Sequence, residues 1–303
     1  MAQAQGSRHS IAYVVESTFG TTPGTPSMLE LRNTGSTLRV TKDNFVSEEI
    51  RNDRQIVDLR HGLVQVAGDI NFELIYGAYD DFLEAALFGA WSTNVLKAGV
   101  TPKYLSIERA FADVSEYHLF AGCMVNTMSL NIQPNAIVTG SFGIIGKNVT
   151  VGSSAADASV TAAVAHQPFD GFSGTISEGG STVDNITSLT LELNNNLNPA
   201  FVIGLESTPQ ILAGRSIVTG TVSAFFESEA LLNKFLNETE SSISVFLDGA
   251  EGGDLTILIP RIKYTAADVD VTAADDGILI NLPFQAMRDS SEATNLKITR
   301  TPA

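Results

Sequence analysis

The sequence predicts a mainly β protein in two similar halves, each with one flanking α-helix. Three observations carry that prediction. Short runs of period-two alternation fill most of the 303 residues, and only two segments show a helical stripe. The order strand, long loop, strand, helix, paired strands then occurs twice.

Along the chain, "YVVE" from Tyr13 to Glu16 reads as a strand that breaks into "STFGTTPGTP", where glycine and proline stop a strand and redirect it. "STLRV" at Ser36 is followed by the charged loop Thr41 to Gly62. From Val64, the apolar Val64, Val66, Ile70, Phe72 and Leu74 share one face, with Gln65, Asp69, Asn71 and Glu73 on the other. "DDFLEAALF", Asp80 to Phe88, places Phe82, Leu83, Ala86 and Leu87 on one helical side, with acids at its N-terminus. Met124, Met128, Leu130 and Ile132 alternate with Ser129 and Asn131. "VGSSAADASVTAAVA", Val151 to Ala165, has a linker's composition, or that of a surface loop inside one domain.

The second half repeats these features. "LTLEL" at Leu189 echoes "STLRV", with Glu192 on its polar side. "GRSIVTGTVSAFF" matches "GLVQVAGDINFEL", pairing Gly62 with Gly214 and Gly68 with Gly220. Thr219, Thr221 and Ser223 then form a polar face. "SEALLNKFL", Ser228 to Leu236, repeats the helix with Leu231, Leu232, Phe235 and Leu236 on its stripe. "DGILINLPFQAM" at Asp276 echoes "NAIVTGSFGIIG" at Asn135.

No catalytic or cofactor-binding constellation is legible, and an enzyme is not expected. His9, His61, His118 and His166 lack ligand spacing, and Cys123 sits in the core-like "FAGCMV". "GSFGIIGKN" lacks the first glycine and the final hydroxyl of a phosphate loop, and "GFSG" at Gly171 lacks the end of a nucleophile elbow. "DGAEGGD", Asp248 to Asp254, reads as a hairpin tip. "DVDVTAADDG", Asp268 to Gly277, departs from a calcium loop at Thr272. No metal is therefore expected.

The formal net charge of −16 disfavours gripping nucleic acid by counterion release. It suits plain acidic solubility, or a surface past which a polyanion moves without sticking. No apolar run is long enough to span a membrane, and the polar N-terminus with a single cysteine suits synthesis in the cytoplasm. Charges of both signs alternate in the long loop, at Glu48, Glu49, Arg51, Asp53, Arg54, Asp58 and Arg60, which favours a specific contact with another surface. The plainer reading is a solvated loop with weak local ion pairs.

The pieces "AYVVESTFGTTPGTP", "SEEIRNDRQIVDLRHGLVQVAGDINFEL", "YDDFLEAALFG", "FAGCMVNTMSLNIQPNAIVTGSFGIIGK" and "PFDGFSGTISEGGSTVDNITSLTLELNNNL" resemble, in that order, major tail tube proteins of long non-contractile-tailed bacteriophages. The resemblance implies β-sandwich or rolled-barrel domains, each with a flanking helix, whose subunits form stacked rings around a DNA channel. It also implies tape-measure, tail-terminator and distal tail proteins as partners, and a place in the virion tail. With the duplication, it implies a trimeric, pseudo-six-fold ring, with a hexameric ring as the alternative. The organisation expected is an N-terminal arm (1–34) crossing to a neighbour, a first tube domain (35–150), a linker (151–166), a second tube domain (167–288) and a C-terminal arm (289–303). Expected lumen-lining residues are Gln65, Asp69, Asn71, Glu73, Ser129, Asn131, Glu192, Thr219, Thr221 and Ser223, with DNA in transit but not specifically bound. A non-enzymatic β-sandwich adhesin and the tube of a contractile tail are the competing readings.

Overall fold

The computed structural model describes residues 3–271 and 277–303. In the first half, a 3-10 turn (Gly6–Arg8) leads into β1 (His9–Glu16), β2 (Leu29–Leu31), β3 (Gly35–Ser36), β4 (Arg39–Val46) and β5 (Leu59–Glu73). There follow α1 (Asp80–Leu87), β6 (Val95–Lys97), β7 (Tyr104–Phe111), β8 (Glu116–Ile132), β9 (Thr139–Gly146) and β10 (Asn148–Gly152). The second half opens with β11 (Thr175–Glu178), β12 (Ser181–Thr182), β13 (Ile186–Asn194), β14 (Asn198–Ala200), β15 (Gln210–Leu212) and β16 (Ile217–Phe225). It continues with α2 (Ala230–Leu236), β17 (Ser241–Leu247), β18 (Asp254–Tyr264), β19 (Asp268–Asp270), β20 (Leu279–Ala286) and β21 (Lys297–Thr301). The protein is mainly β, as its alternation predicts.

Each half folds two sheets around one bent strand. In the first, β2, β1, β7, the start of β8 and β10 make an outer sheet, while β4, β5, β9 and the end of β8 make an inner one. β8 changes sheets at Gly122, whose φ of 67° lies in the left-handed region and above which Lys147 and Phe19 leave no room for a Cβ. The second half repeats the same neighbours, with β12, β11, β17, β18 and β21 outside and β13, β16, β20 and β18 inside. Here the crossing lies near Pro260, and β19 carries the ladder on along β20. The halves are stitched together by β13 on β8 and by β21 on β6. The inner strands thereby form one sheet in the order β4, β5, β9, β8, β13, β16, β20, β18. Among the described strands it stays open, without closing into a barrel.

Alternation explains the core. Ile70, Phe72, Leu130, Leu189, Leu191, Val222, Leu282 and Phe284 all point from the inner sheet into the buried interior. Phe72 stacks on Phe142 at 4.5 Å between ring centroids, with Tyr79 and Phe82 packed around them. α1 buries Phe82, Leu83, Ala85, Ala86 and Leu87 and ends with Phe88 in the left-handed region. Its two leading acids are anchored by cations, Asp80 by Arg300 and Asp81 by Lys103 at 2.6 Å. α2 begins at Ala230, two residues later than its pattern suggests. It packs Leu231, Leu232 and Phe235 against the core and leaves Leu236 exposed, because its single short turn pair covers less of the sheet.

Within the chain, the terminal segments expected as arms pack into the sandwiches. β1 sits between β2 and β7 with Ile11 and Tyr13 buried, because eight consecutive ladder pairs hold it to β7. β21 lies between β18 and β6 with Ile298 buried. The "TFGTTPGTP" turn is tied down by Glu16, a buried carboxylate accepting from Gly20 N–H at 2.7 Å, Gly122 N–H at 2.8 Å and Ser106 Oγ at 2.6 Å. The Ala/Ser-rich stretch is an ordered strap along the first half. Met28 N–H and Ala156 N–H donate to Asp157 and Glu108, and Thr161 bridges Leu29. The ladders also shift one sequence match: Phe142 and Leu282 occupy matching places, one residue off the "NAIVTGSFGIIG" echo.

Candidate functional site

The polar residues of the inner sheet line up in rows across both halves. Asn71 on β5 is opposite Ser141 on β9, which is opposite Ser129 on β8. Ser129 faces Glu192 on β13, and Glu192 faces Thr219 on β16. A second row runs Glu73, Thr139, Asn131, Thr190 and Thr221. Gln65 and Asp69 stand at the same parity on β5, and Ser223 on β16, so all ten residues chosen by alternation share one face of one sheet. Directly opposed residues in antiparallel ladders project to the same side, which is why one correct parity fixes the rest.

That face is polar and threaded by side-chain hydrogen bonds. Ser129 and Ser141 hydroxyls lie 2.8 Å apart, Gln65 Nε2 donates to Asp43 at 3.1 Å, and Ser223 Oγ donates to Asn281 Oδ1 at 2.7 Å. Among the described residues its carboxylates include Asp43, Asp69, Glu73, Glu192 and Asp268, and its cations Arg39 and Lys263. Sequence reasoning missed Arg39, Thr127, Thr139, Ser141, Asn281 and Gln285 on this face, and left Thr190 out of the candidates although it alternates with Leu189 and Leu191. The glycines of "TGSFGIIG" and the proline of "INLPFQA" interrupt the alternation that marks the other strands.

The charged loop is a projecting hairpin. β4 and β5 pair from Arg39–Ala67 out to Val46–Leu59, with one bulge near Asp43, and every residue from 39 to 61 is exposed. Glu48, Glu49, Arg51, Asp53, Arg54 and Asp58 lie at its tip and Arg60 on its β5 side. Arg51 pairs with Asp53 at 2.9 Å and Arg60 with Asp58 at 3.4 Å, and the Arg51 guanidinium holds the Asp53 carboxyl below the usual range. Among the described residues no ion pair involves Glu48, Glu49 or Arg54. Beside these charges, Phe45, Ile50 and Ile56 are 61%, 98% and 73% exposed, an apolar content that solvent alone does not account for. The matching loop of the second half differs. It forms the β14–β15 hairpin and leans on the first half, where Val64 N–H donates to Glu206 O at 2.7 Å.

The remaining candidates do not gather. Among the described residues no three His, Cys, Asp or Glu side chains form a group that would hold a metal. His61 Nδ1 lies 2.7 Å from Asn44 Oδ1 on the hairpin, and His9 and His118 flank Phe111. Cys123 is buried, and burial pushes its thiol pKa up, away from nucleophilic chemistry. The phosphate-loop look-alike is strand β9, and "GFSG" belongs to a turn in which Asp170 Oδ1 accepts from Phe172 and Ser173 N–H. Asp248 to Asp254 forms the β17–β18 hairpin tip, with a 3-10 turn at Ala250–Gly252. The calcium-like segment runs into residues 272–276, outside the described residues.

Among comparisons with known proteins, a family model described as phage tail tube protein matches residues 6–286, nearly the whole chain. No curated protein matches.

Proposed function

The chain belongs to the phage tail tube protein family, a structural component of the virion tail, and we propose that it self-assembles into stacked rings that conduct genomic DNA during ejection. Three chains would form each ring. The two halves share one ladder plan, so three copies present six similar sandwiches in a pseudo-six-fold array. The inner sheets join edge to edge into one barrel, which removes the open edges at β4 and β19 that would otherwise invite aggregation.

The single observation that carries this reading is the continuous polar face spanning both halves. On the inside of such a barrel it lines a water-filled channel. Its carboxylates outnumber its cations, so it repels phosphate and offers few sites where counterion release would hold DNA. Gln65, Asp69, Asn71, Glu73, Ser129, Asn131, Glu192, Thr219, Thr221 and Ser223 line that channel in this reading. The β4–β5 hairpin, long and carrying exposed Ile50 and Ile56 among the charges of its tip, meets the adjacent ring. Tape-measure, tail-terminator and distal tail proteins cap and time the assembly, and no catalytic step is required of any residue.

Electron microscopy of the purified protein over rising concentration tests the reading. Hollow tubes with a regular axial repeat are expected; solid aggregates or monodisperse monomers at every concentration would contradict it.

A further inference from the structure

We infer that neighbouring copies of this chain join through one defined strand register, with Arg39 of one copy directly opposite Asp268 of the next. The inference rests on the ring reading and adds to it which residues meet. The chain carries its own template for the contact, because β13 of the second half already pairs with β8 of the first.

The mapping follows from the ladders. Gly68 and Gly220 hold matching places, so Ala67 matches Thr219. Arg39 pairs with Ala67 as Glu192 pairs with Thr219, which makes Arg39 the counterpart of Glu192. On the other edge, Gly68 pairs with Ile144 and Gly220 with Phe284, so Ser141 matches Asn281. Ser129 pairs with Ser141 as Asp268 pairs with Asn281, which makes Asp268 the counterpart of Ser129. Glu192 opposite Ser129 inside the chain therefore becomes Arg39 opposite Asp268 between chains. The same step sets Leu38 against Val269, as Leu191 is set against Leu130. Within one chain Leu38 N–H donates to Ser36 Oγ at 3.2 Å and its carbonyl accepts from Arg109 at 2.5 Å, so these two side chains yield their places when the strands join.

Three further observations favour a second copy as the occupant of these edges. Among the described residues, β4 pairs only with β5, and β19 only with β20, so each keeps one edge free of another strand. Arg39 and Asp268 are exposed and opposite in charge. The internal junction has no such pair, since Glu192 meets an uncharged serine. Opposite charges at a directly opposed pair reward this register, and like charges at Arg39–Arg39 or Asp268–Asp268 penalise self-pairing of identical edges. The ionic pair thus directs first-half edges onto second-half edges, which is the alternation that a ring of two-sandwich chains needs.

Disulfide cross-linking reads the register. Directly opposed residues in an antiparallel ladder have Cα atoms about 4.5–5.5 Å apart, within disulfide reach, whereas a two-residue slip sets them about 7–8 Å apart. The double variant Arg39→Cys/Asp268→Cys should give covalent multimers on oxidation of assembled protein, and Thr41→Cys/Asp268→Cys should not. The native thiol of Cys123 is buried and does not compete. In a parallel arm, Arg39→Asp should raise the concentration for half-assembly about three- to tenfold, and adding Asp268→Arg should restore it. Cross-linking in the slipped pair only, or no rescue by the double reversal, would overturn the register while tubes leave the ring reading intact. Unmodified protein that never assembles would overturn both.

Discussion

Glu192 on β13 faces Ser129 on β8 across the ladder that joins the two halves, and Thr219 flanks Glu192 on its other side. This row places a carboxylate at the centre of the polar face, and in the proposed channel it would keep DNA from adhering. Replacing Glu192, Asp69 and Thr219 together by lysine should make assembled tubes retain DNA at low salt. The retention should weaken steeply as salt rises, because each phosphate contact releases counterions. A filter-retention assay across a salt series checks this; tubes that ignore DNA at every salt concentration would remove these residues from the channel.

The hairpin makes a separate prediction. Ile50 and Ile56 are largely exposed on the folded subunit. Ile50→Ser/Ile56→Ser should leave the folded subunit's stability within about 0.5 kcal/mol, as for surface changes. Sedimentation and electron microscopy should then find rings or short stacks in place of long tubes. Tubes of ordinary length would mean that the hairpin does not hold successive rings.

Glu16 should be among the costliest polar side chains to remove. Its carboxylate satisfies two backbone N–H groups and a hydroxyl at the corner where β8 changes sheets. Glu16→Ala leaves those donors unpaired and should cost about 2–3 kcal/mol in urea unfolding of the subunit, with Glu16→Gln costing less. Deleting a ring of the aromatic stack by Phe142→Ala should cost about 3–5 kcal/mol.

Acid should loosen the stitch between the halves. Lys297 of β21 and Lys97 of β6 both pair with Glu292 and hold its carboxyl below the usual range. A lowered folded-state pKa contributes stability above the unfolded value, near 4.5, and loses it as pH falls through the folded value. The wild-type urea midpoint should therefore drop further between pH 6 and about pH 3 than that of Glu292→Gln, with a difference under about 1 kcal/mol for a pair this exposed.

Much of this was readable in the sequence because period-two alternation survives where one face of a sheet is buried and the other wet. Val66, Ile70 and Phe72 on β5 and Leu189, Leu191 and Leu193 on β13 announce their parity, and the polar residues between them fall on one face as a result. β9 and β20 gave a weaker signal, since Gly140, Gly143 and Pro283 break the pattern. The one-residue error in matching those two strands followed. β1 and β21 pose a different difficulty. Local sequence does not name a strand's partner, and only β7, β18 and β6, far away in the chain, make these terminal segments interior strands. Arg39 and Asp268 each look like solvated charges in isolation. Their relation emerges only when the ladder joining the halves is laid over the free edges.

Image averaging of assembled tubes down their axis, with the chain count set by the mass per axial repeat, tests the central claim most directly. Three chains per ring, presenting six similar lobes around an open channel, is the predicted result. Six chains per ring, or a lumen lined by the apolar faces of the sheets, would contradict it.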